Sequence, residues 1–392
     1  EESRNITEGV LTPGELTAIG SYTSDTAALW YAFVTPAYDA AGIEVDAFNT
    51  NIGFNDLRKK VISTTESDYT KMLVPGYTGG RKMATASRTF VPADLKVGVI
   101  LVGDETEGYT LSHMNGIKEA AANLGLADNQ IIWKYKVPED QTCYDAALDC
   151  IGQGCNLIIS NSYGHQTYMV LAAEEYPDVT FVSMTGDFAA LTGLDNFKNA
   201  FTKIYEARYV SGVVAGMKVA ELLASGELSP EKQPNSFDEN GNVKIGYVGA
   251  FDYAEVVSGF TSFFLGVRYA CPSATMEVTF TNSWYDPTLE QEGAIKLINN
   301  NCKLISLHAD SMGAPTECQN KGVPFVFYNG SAKDACPDTY IVASYINWAP
   351  YMTYSMQAAM NGEEIAADWV GTLENGGVAL KELNEAVAAE GT

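Results

Sequence analysis

The chain has 392 residues, of which 46% are hydrophobic and 19% charged, and 49 acidic against 24 basic residues give a net charge of −25. This is the composition of a folded protein, and the length favours two or three domains over a single core. The charge argues against nucleic acid and anionic membrane surfaces as partners, because both bind to positively charged faces. No run approaches the roughly 18 apolar residues that cross a bilayer.

The first 94 residues show little regular alternation of strands and helices. Helical patterns cover residues 26–41 and 54–60, and residues 76–81 (Gly-Tyr-Thr-Gly-Gly-Arg) are typical of a turn. We interpret residues 1–94 as an N-terminal extension of unassigned fold, either a helical layer on the first lobe or partly a flexible tether. The chain opens on Glu-Glu-Ser without an initiator Met, so we expect a mature or trimmed product whose targeting segment is absent.

From Leu95 onward, short β-branched runs alternate with loops and amphipathic helices. Most of these runs are continuously apolar, as parallel strands covered on both faces require. The pattern predicts an α/β protein built from doubly wound parallel sheets. The predicted strands are residues 97–102, 156–160, 179–183, 244–248, 276–280, 304–308, 324–328 and 340–344.

Two parts of this region resemble each other. Residues 97–120 and 243–270 each contain a strand, a loop with glycine and a helix that carries a late glycine, Gly116 and Gly266 respectively. Two copies of one unit predict two lobes with a cleft between them. Residues 228–241, rich in Ser, Pro, Glu and Asn, are predicted to form a surface loop near the start of the second lobe.

The seven cysteines show no metal-binding spacing. Cys150 and Cys155 are too far apart for the paired cysteines of a structural zinc site. Several cysteines precede strands, where a small buried thiol packs well. We favour free, buried thiols for most of them, and leave one or two disulfides open for an oxidising compartment.

The loops that follow the strands hold the candidate binding residues, because ligands of open α/β sheets bind beyond the carboxyl ends of the strands. These loops combine aromatic side chains with carboxylates and amides, and they contain almost no Lys or Arg. One aromatic residue at a strand end is more often core packing, but five in equivalent loops favour binding. Because an aromatic face stacks on a base for about 1–3 kcal/mol, a planar, neutral, hydrogen-bonding ligand suits these loops better than an anionic one. The residues are Tyr109, Tyr163, Trp284, Tyr285, Trp348, Asp104, Asp310, Asn329 and Asn347.

At these loops the sequence resembles the basic membrane protein family of solute-binding lipoproteins, over roughly residues 95–383. Six motifs occur in the family's order, and together they identify the chain as a member. They are Gly108-Tyr-Thr-Leu-Ser-His-Met-Asn-Gly116, Ser160-Asn-Ser-Tyr-Gly164 followed by Pro177-Asp-Val-Thr-Phe181, Glu206-Ala-Arg-Tyr-Val-Ser-Gly-Val-Val-Ala-Gly216, Asn282-Ser-Trp-Tyr-Asp-Pro287, His308-Ala-Asp-Ser311 and Asn347-Trp-Ala-Pro350.

The resemblance implies a type I periplasmic-binding fold whose chain crosses three times between lobes. Lobe 1 would comprise residues 95–203 and 340–361, and lobe 2 residues 204–339 and 362–392. It also implies an extracytoplasmic, lipid-anchored protein that delivers a purine base or nucleoside to an ABC permease. No cofactor or metal is expected, and the membrane would be reached through an anchor that this chain lacks.

The resemblance also assigns residues to the ligand. Tyr109 and Tyr163 stand at aromatic positions of the family, and Trp284 is expected to cover the other face of the ring. Asp310 is expected to accept hydrogen bonds from an amine, a ring N–H or ribose hydroxyls, whereas Asn347 and Trp348 would line the wall near the hinge. The other predicted ligand-binding residues are Asp104, Thr110, Gly164, Glu255 and Asn329.

Two departures from the family leave alternatives open. Thr106-Glu107 replaces an Asp-His pair, so Asp104, Glu105 and Glu107 are alternatives for its carboxylate. After Tyr328, many relatives have a polar residue with an acid nearby, whereas this chain has Asn329-Gly-Ser331. Because of this difference, the sequence does not decide whether the ligand is a nucleoside or a free base.

Two other classes of protein were weighed. An enzyme that cleaves nucleosides would need clustered Asp residues or a phosphate loop, whereas the Asp residues here lie singly on separate loops. The histidines His113, His165 and His308 are too far apart in sequence for a metal pair, and a structural role is expected for each. We therefore expect no catalysis.

A binding protein that senses another planar heterocycle, such as a flavin, and signals to a membrane partner would have the same architecture.

Overall fold

A computed structural model describes Val10–Leu11, residues 95–252 and residues 254–392. The interpretation of residues 1–94 as an extension therefore lies, apart from the dipeptide, outside the described residues. Across the described part of the chain, no helix is both long enough and apolar enough to cross a membrane.

The chain divides into two compact units. The six-stranded unit contains residues 95–202 and 346–377. The seven-stranded unit contains residues 203–345 and 378–392, together with the short strand at Val10–Leu11. From residue 95 onward, the chain passes from one unit to the other three times.

The elements follow one another as alternating strands and helices. The strands are β1 (Val10–Leu11), β2 (Val97–Ile100), β3 (Ile131–Lys134), β4 (Leu157–Ser160), β5 (Thr180–Met184), β6 (Phe197–Thr202), β7 (Val243–Gly249), β8 (Ala274–Phe280), β9 (Ile305–His308), β10 (Phe325–Tyr328), β11 (Tyr340–Ile346), β12 (Asp368–Gly371) and β13 (Val378–Lys381). The α-helices are α1 (Gly108–Leu124), α2 (Gln141–Gly152), α3 (Gln166–Glu175), α4 (Ala189–Thr192), α5 (Ile204–Ala224), α6 (Ala254–Ala270), α7 (Pro287–Asn299), α8 (Gly313–Lys321) and α9 (Ala349–Asn361).

The six-stranded sheet is parallel throughout, with the order β12-β6-β5-β4-β2-β3. β2 lies between β3 and β4, so that Val97 is level with Ile131 and Leu157. All four residues of β2 are buried, as expected for a strand that helices cover on both faces.

The seven-stranded sheet has the order β1-β8-β7-β9-β10-β11-β13. The pairs from β8 through β11 are parallel, and β1 is antiparallel to β8. Its core includes the contact between α5 and α6, where the backbones approach closely at glycines. A Cβ added at Gly212 would lie 2.0 Å from the Phe263 carbonyl oxygen, and one at Gly266 would lie 2.0 Å from that of Tyr209.

The division of the chain differs in detail from the predicted lobes. Residues 340–345 lie in the seven-stranded unit because β11 pairs with β10, where Tyr328 is level with Ser344. Residues 362–377 lie in the six-stranded unit because β12 pairs with β6. Strand pairing thus sets both boundaries, and pairing between distant segments cannot be read from local periodicity.

All seven cysteines are buried and free. Backbone geometry explains the burial of three of them. Cys155 donates its N–H to the Cys150 carbonyl oxygen (3.0 Å), and Gly154 between them has φ 89°, which is the Schellman ending of a helix. Cys302 donates in the same way to Leu297 (3.0 Å) after α7. This motif packs two apolar side chains together, and the thiols take that place.

Candidate functional site

Three predicted residues of the seven-stranded unit converge on His308 at the carboxyl ends of β7, β8 and β9. Glu255 lies in the first turn of α6, and its Oε1 is 3.0 Å from His308 Nε2. Trp284 follows β8, and its ring centroid is 6.3 Å from that of His308. Asp310 donates its backbone N–H to the Trp284 carbonyl oxygen at 3.0 Å. Trp284 is 41% exposed, so this group of side chains can be reached by a solute.

A buried arginine supports the same cluster. Arg208 on α5 is 1% exposed, and its Nη1 donates to Tyr247 Oη at 2.7 Å and to the Leu307 carbonyl oxygen at 3.0 Å. Its Cζ lies 4.2 Å from the centroid of the Tyr328 ring, which in turn is 4.9 Å from that of His308. The arginine thus ties α5 to β7 and β9 and holds a positive charge against an aromatic face.

The charges of the cluster follow from burial and from these contacts. Burial lowers the pKa of His308, and Arg208 lowers it further, whereas Glu255 opposes both. Burial by itself would raise the pKa of Glu255, but His308 and Arg208 outweigh it, so that this pKa is lowered. Near neutral pH, Glu255 is therefore ionised, and its 3.0 Å contact with His308 assigns a His308 proton to Nε2.

Hydrogen bonds from buried residues hold the loops beside the cluster in place. Asn329 is 4% exposed, has φ 57° and donates its N–H to the Ser344 carbonyl oxygen at 2.9 Å. Asn tolerates this left-handed conformation better than most residues. Glu290 is buried and accepts the N–H of Ser311 at 3.2 Å, which holds the loop that carries Asp310.

In the six-stranded unit, the rings of Tyr109 and Trp348 both contact the ring of His113. The Tyr109 hydroxyl donates to the Asn161 carbonyl oxygen, and its ring meets His113 edge-on at 4.7 Å. Trp348 stacks on the His113 ring at 4.6 Å and is 0% exposed, so in this structure its ring packs within the six-stranded unit. That Trp348 lines the ligand wall stays a prediction.

The side chains of two other predicted residues, Thr110 and Asp104, bind to neighbouring side chains of this unit. Thr110 is buried; it donates to Glu107 Oε2 at 3.0 Å and accepts from Asn161 Nδ2 at 3.3 Å. Asp104 forms an ion pair with Lys136 at 2.7 Å, and hydrogen bonds from Lys136 and Thr106 hold its pKa well below the usual range. Both side chains stabilise the loop between β2 and α1, and their contact with a ligand stays a prediction.

The remaining predicted residues of this unit lie nearer the surface. Tyr163 is 51% exposed, and its hydroxyl is 3.4 Å from Asp187 Oδ2. Gly164 donates its N–H to Glu139 Oε1 at 2.8 Å. Asn347 accepts the N–H of Ala349 at 3.3 Å just before α9, and it borders a surface groove of about 440 Å³. Tyr163 has the most open aromatic ring among these residues.

Sequence reasoning missed Arg208 and Tyr328 and gave His308 a structural role. The structure gives one sign of the importance of Arg208, since it is the one charged residue among the buried residues of α5. His308 does have a satisfied hydrogen bond, but it also joins Glu255 to Trp284. Within the described residues, no group of three or more His, Cys, Asp or Glu side chains is arranged to hold a metal ion.

Comparison of this sequence with known proteins identifies a matching family and several relatives. Residues 238–391 match the family described as ABC transporter substrate-binding protein PnrA-like. A purine-binding protein of Brucella abortus is 29% identical over 272 residues, which cover 68% of this chain and 69% of that protein. A putative ABC transporter glucose-binding protein of Haloferax volcanii is 29% identical over 235 residues, covering 60% of this chain and 54% of that protein.

Structural comparison addresses the fold. An ABC transporter solute-binding protein from Conexibacter woesei superposes with a TM-score of 0.59 at 20% identity, over 76% of this chain and 91% of that chain. At this identity the likeness concerns architecture alone. The predicted type I periplasmic-binding fold is thereby confirmed.

Proposed function

We propose that this chain, which belongs to the basic membrane protein (PnrA-like) family of ABC transporter substrate-binding proteins, binds a purine base or nucleoside for delivery to a membrane permease. The observation that carries the proposal is the half-exposed ring of Trp284 beside the ionised Glu255, both anchored to His308. An aromatic face and a carboxylate at one strand edge suit a flat ring that carries N–H groups.

The physical basis is a combination of stacking and hydrogen bonding. A base that stacks on Trp284 gains about 1–3 kcal/mol. A hydrogen bond from the ligand to an ionised carboxylate is worth about 1.5–3 kcal/mol. The two terms act on different parts of a purine, its face and its edge, so one small ring system can use both.

One relative supports a purine as the ligand, and another indicates a sugar as the alternative. The Brucella abortus protein is described as purine-binding, and the Haloferax volcanii protein as putatively glucose-binding. Glucose offers hydroxyl groups to carboxylates and can pack only the C–H bonds of its ring on Trp284, whereas a purine offers an aromatic face. The purine is therefore the better match to the exposed indole.

Family membership also bears on location. Solute-binding proteins of ABC transporters are extracytoplasmic, and we propose that this one is held at the membrane by a lipid anchor. Among the predicted ligand contacts, Tyr109, Tyr163 and Asn347 of the six-stranded unit stay predictions.

The test is calorimetric titration of protein that has been unfolded and refolded to remove any carried-over ligand. The panel contains purine bases, purine nucleosides, pyrimidines, riboflavin and glucose. We expect sub-micromolar affinity for purines alone. Binding of glucose or riboflavin without binding of any purine would overturn the proposal.

A further inference from the structure

The end of α2 carries two thiols in a motif that brings side chains together. It is a Schellman ending, in which Cys155 donates its N–H to the Cys150 carbonyl oxygen at 3.0 Å and Gly154 has φ 89°. With standard bond lengths, this hydrogen bond keeps the Cα atoms of the two cysteines within about 7 Å of each other. Disulfides join Cα atoms at such separations, so the backbone already holds the pair within bridging distance.

Two helices of the seven-stranded unit end in the same way and show what is particular to α2. After α7, Cys302 donates its N–H to the Leu297 carbonyl oxygen at 3.0 Å, and after α8, Val323 donates to that of Cys318 at 2.9 Å. The motif packs the side chains at these two positions against each other. Each of these two endings holds one thiol and one aliphatic side chain there, whereas α2 holds two thiols.

Packing holds the Cys150 thiol in place, whereas Cys155 lies next to the surface. A Cβ added at Gly98 of β2 would lie 2.8 Å from Cys150 Cβ and 2.9 Å from its Sγ. Both cysteines belong to one hydrophobic cluster of the six-stranded unit. Cys155 is 3% exposed, but Gln153 and Gly154 directly before it are exposed. Because helix ends open locally, opening of this last turn gives a solute access to the Cys155 thiol.

The charges around the turn favour Cys155 as the attacking thiol. The hydrogen bond that it accepts from the Cys150 thiol lowers the pKa of Cys155, and the positive charge of Lys96 lowers it further, against the effect of burial. Lys96 is held at this turn because its Nζ donates to the Gln153 carbonyl oxygen at 2.8 Å. The same thiol hydrogen bond, together with burial, raises the pKa of Cys150. The thiolate, which is the nucleophile, therefore forms at Cys155.

We propose that Cys150 and Cys155 are a reactive pair of thiols, which a small disulfide such as oxidised glutathione converts into an intramolecular disulfide. The Cys155 thiolate attacks one sulfur of the oxidant, which forms a mixed disulfide and expels one glutathione thiolate. Cys150 then loses its proton and attacks the Cys155 sulfur, which forms the protein disulfide and expels the second glutathione. Two electrons pass to the oxidant, and the protons of the two thiols end on the two glutathione molecules.

The experiment is peptide mapping of the folded protein after incubation with oxidised glutathione. An acid quench stops thiol exchange, and N-ethylmaleimide then labels the remaining thiols in denaturant. A protease that cleaves before Asp releases residues 149–177, whose cysteines are Cys150 and Cys155, whereas Cys143 falls in residues 140–144. We expect the peptide of residues 149–177 to carry no label and to be lighter than the reduced peptide by two hydrogen atoms.

The other helix endings serve as internal controls in the same digest. Cys302 and Cys318 each occupy one position of the motif without a second thiol, so both should keep their label. Oxidation of either one at the same rate as the pair would show that the second thiol confers no reactivity. A peptide of residues 149–177 that still carries two labels after the incubation would overturn the proposal.

Two variants test the order of the steps. Cys150→Ala should stop the reaction at the mixed disulfide and leave one glutathione on Cys155. The matched control is Cys143→Ala, which removes another buried thiol of α2 and should leave the bridge between Cys150 and Cys155 unchanged. Melting curves followed by circular dichroism establish that both variants fold. Folded Cys150→Ala in which Cys155 takes up no glutathione would exclude Cys155 as the attacking thiol.

Discussion

Arg208 lies with its guanidinium carbon 4.2 Å from the centre of the Tyr328 ring, although 120 positions separate the two residues along the chain. The contact joins α5 to the end of β10, beside His308. The most deeply buried cation of the cluster is thus held against an aromatic face and not by a direct ion pair with Glu255. The Glu255 carboxylate instead contacts His308, with 3.0 Å between Oε1 and Nε2.

Arg208→Ala should destabilise the protein by about 2–4 kcal/mol, because it empties a buried volume and leaves the Tyr247 hydroxyl without its donor. Urea unfolding followed by circular dichroism measures the change. The control is Arg268→Ala, which removes a single hydrogen bond, to the Ala274 carbonyl oxygen, at a partly exposed site of the same unit. Equal losses in the two variants would contradict the central role of Arg208.

Trp284→Ala should weaken purine binding at least tenfold, which corresponds to about 1.4 kcal/mol or more. Binding weakens because the ligand loses the indole face on which it stacks. Calorimetric titration measures the change in affinity. Tyr269→Ala is the matched control, since Tyr269 is 74% exposed at the far end of α6 from Glu255 and should not contact the ligand. An affinity that survives Trp284→Ala would remove this ring from the site.

Asp310→Asn should change the ranking of ligands without unfolding the protein. The substitution keeps the shape and the backbone bond to Trp284 but replaces a carboxyl oxygen by an amide NH2 group, which donates hydrogen bonds. Ligands that donate to it should lose roughly tenfold in affinity, in line with a charge-assisted hydrogen bond of about 1.5–3 kcal/mol. Titration with each purine in parallel checks this, and a uniform loss across the panel would indicate a structural effect instead.

His113 should make the protein less stable in mild acid. Burial lowers its pKa from the usual 6.5 to about 3, so below pH 6.5 the unfolded chain binds a proton that the folded chain does not. Stability is therefore complete above pH 6.5 and decreases as the pH falls towards 3. At pH 5 the loss from this group is about 2 kcal/mol.

The check is urea unfolding at pH 7.5 and pH 5 for the parent protein and for His113→Phe, which keeps an aromatic ring between Tyr109 and Trp348 but cannot titrate. The variant should lose about 2 kcal/mol less between the two pH values. The comparison with the parent cancels the change in repulsion among the acidic groups. An identical pH dependence in both proteins would show that His113 is not the group responsible.

The sequence by itself determined the alternation of strands and helices, the fold class and the loops at which to look for a site, because these depend on periodicity along short segments. It named Trp284, Glu255 and Asp310 as ligand-binding candidates, and the structure brings these three to one edge, since the carboxyl ends of parallel strands meet there. Their contact with a ligand stays a prediction. It did not find β6, whose residues 197–202 include Lys198 and Asn199 among the apolar ones. Asn199 is buried because its side chain bonds the backbone of Ala189 and Ser183.

The tertiary structure decided which side chains face a solute and which support others. Trp348 and Thr110 look like the exposed candidates in sequence, yet both are buried, because His113 and Asn161 pack against them. Arg208 and Tyr328 come from segments far apart in the chain, and their meeting follows from sheet order and not from local pattern. Contacts of this kind depend on long-range pairing, which also brings His308 to within 3.0 Å of the Glu255 carboxylate.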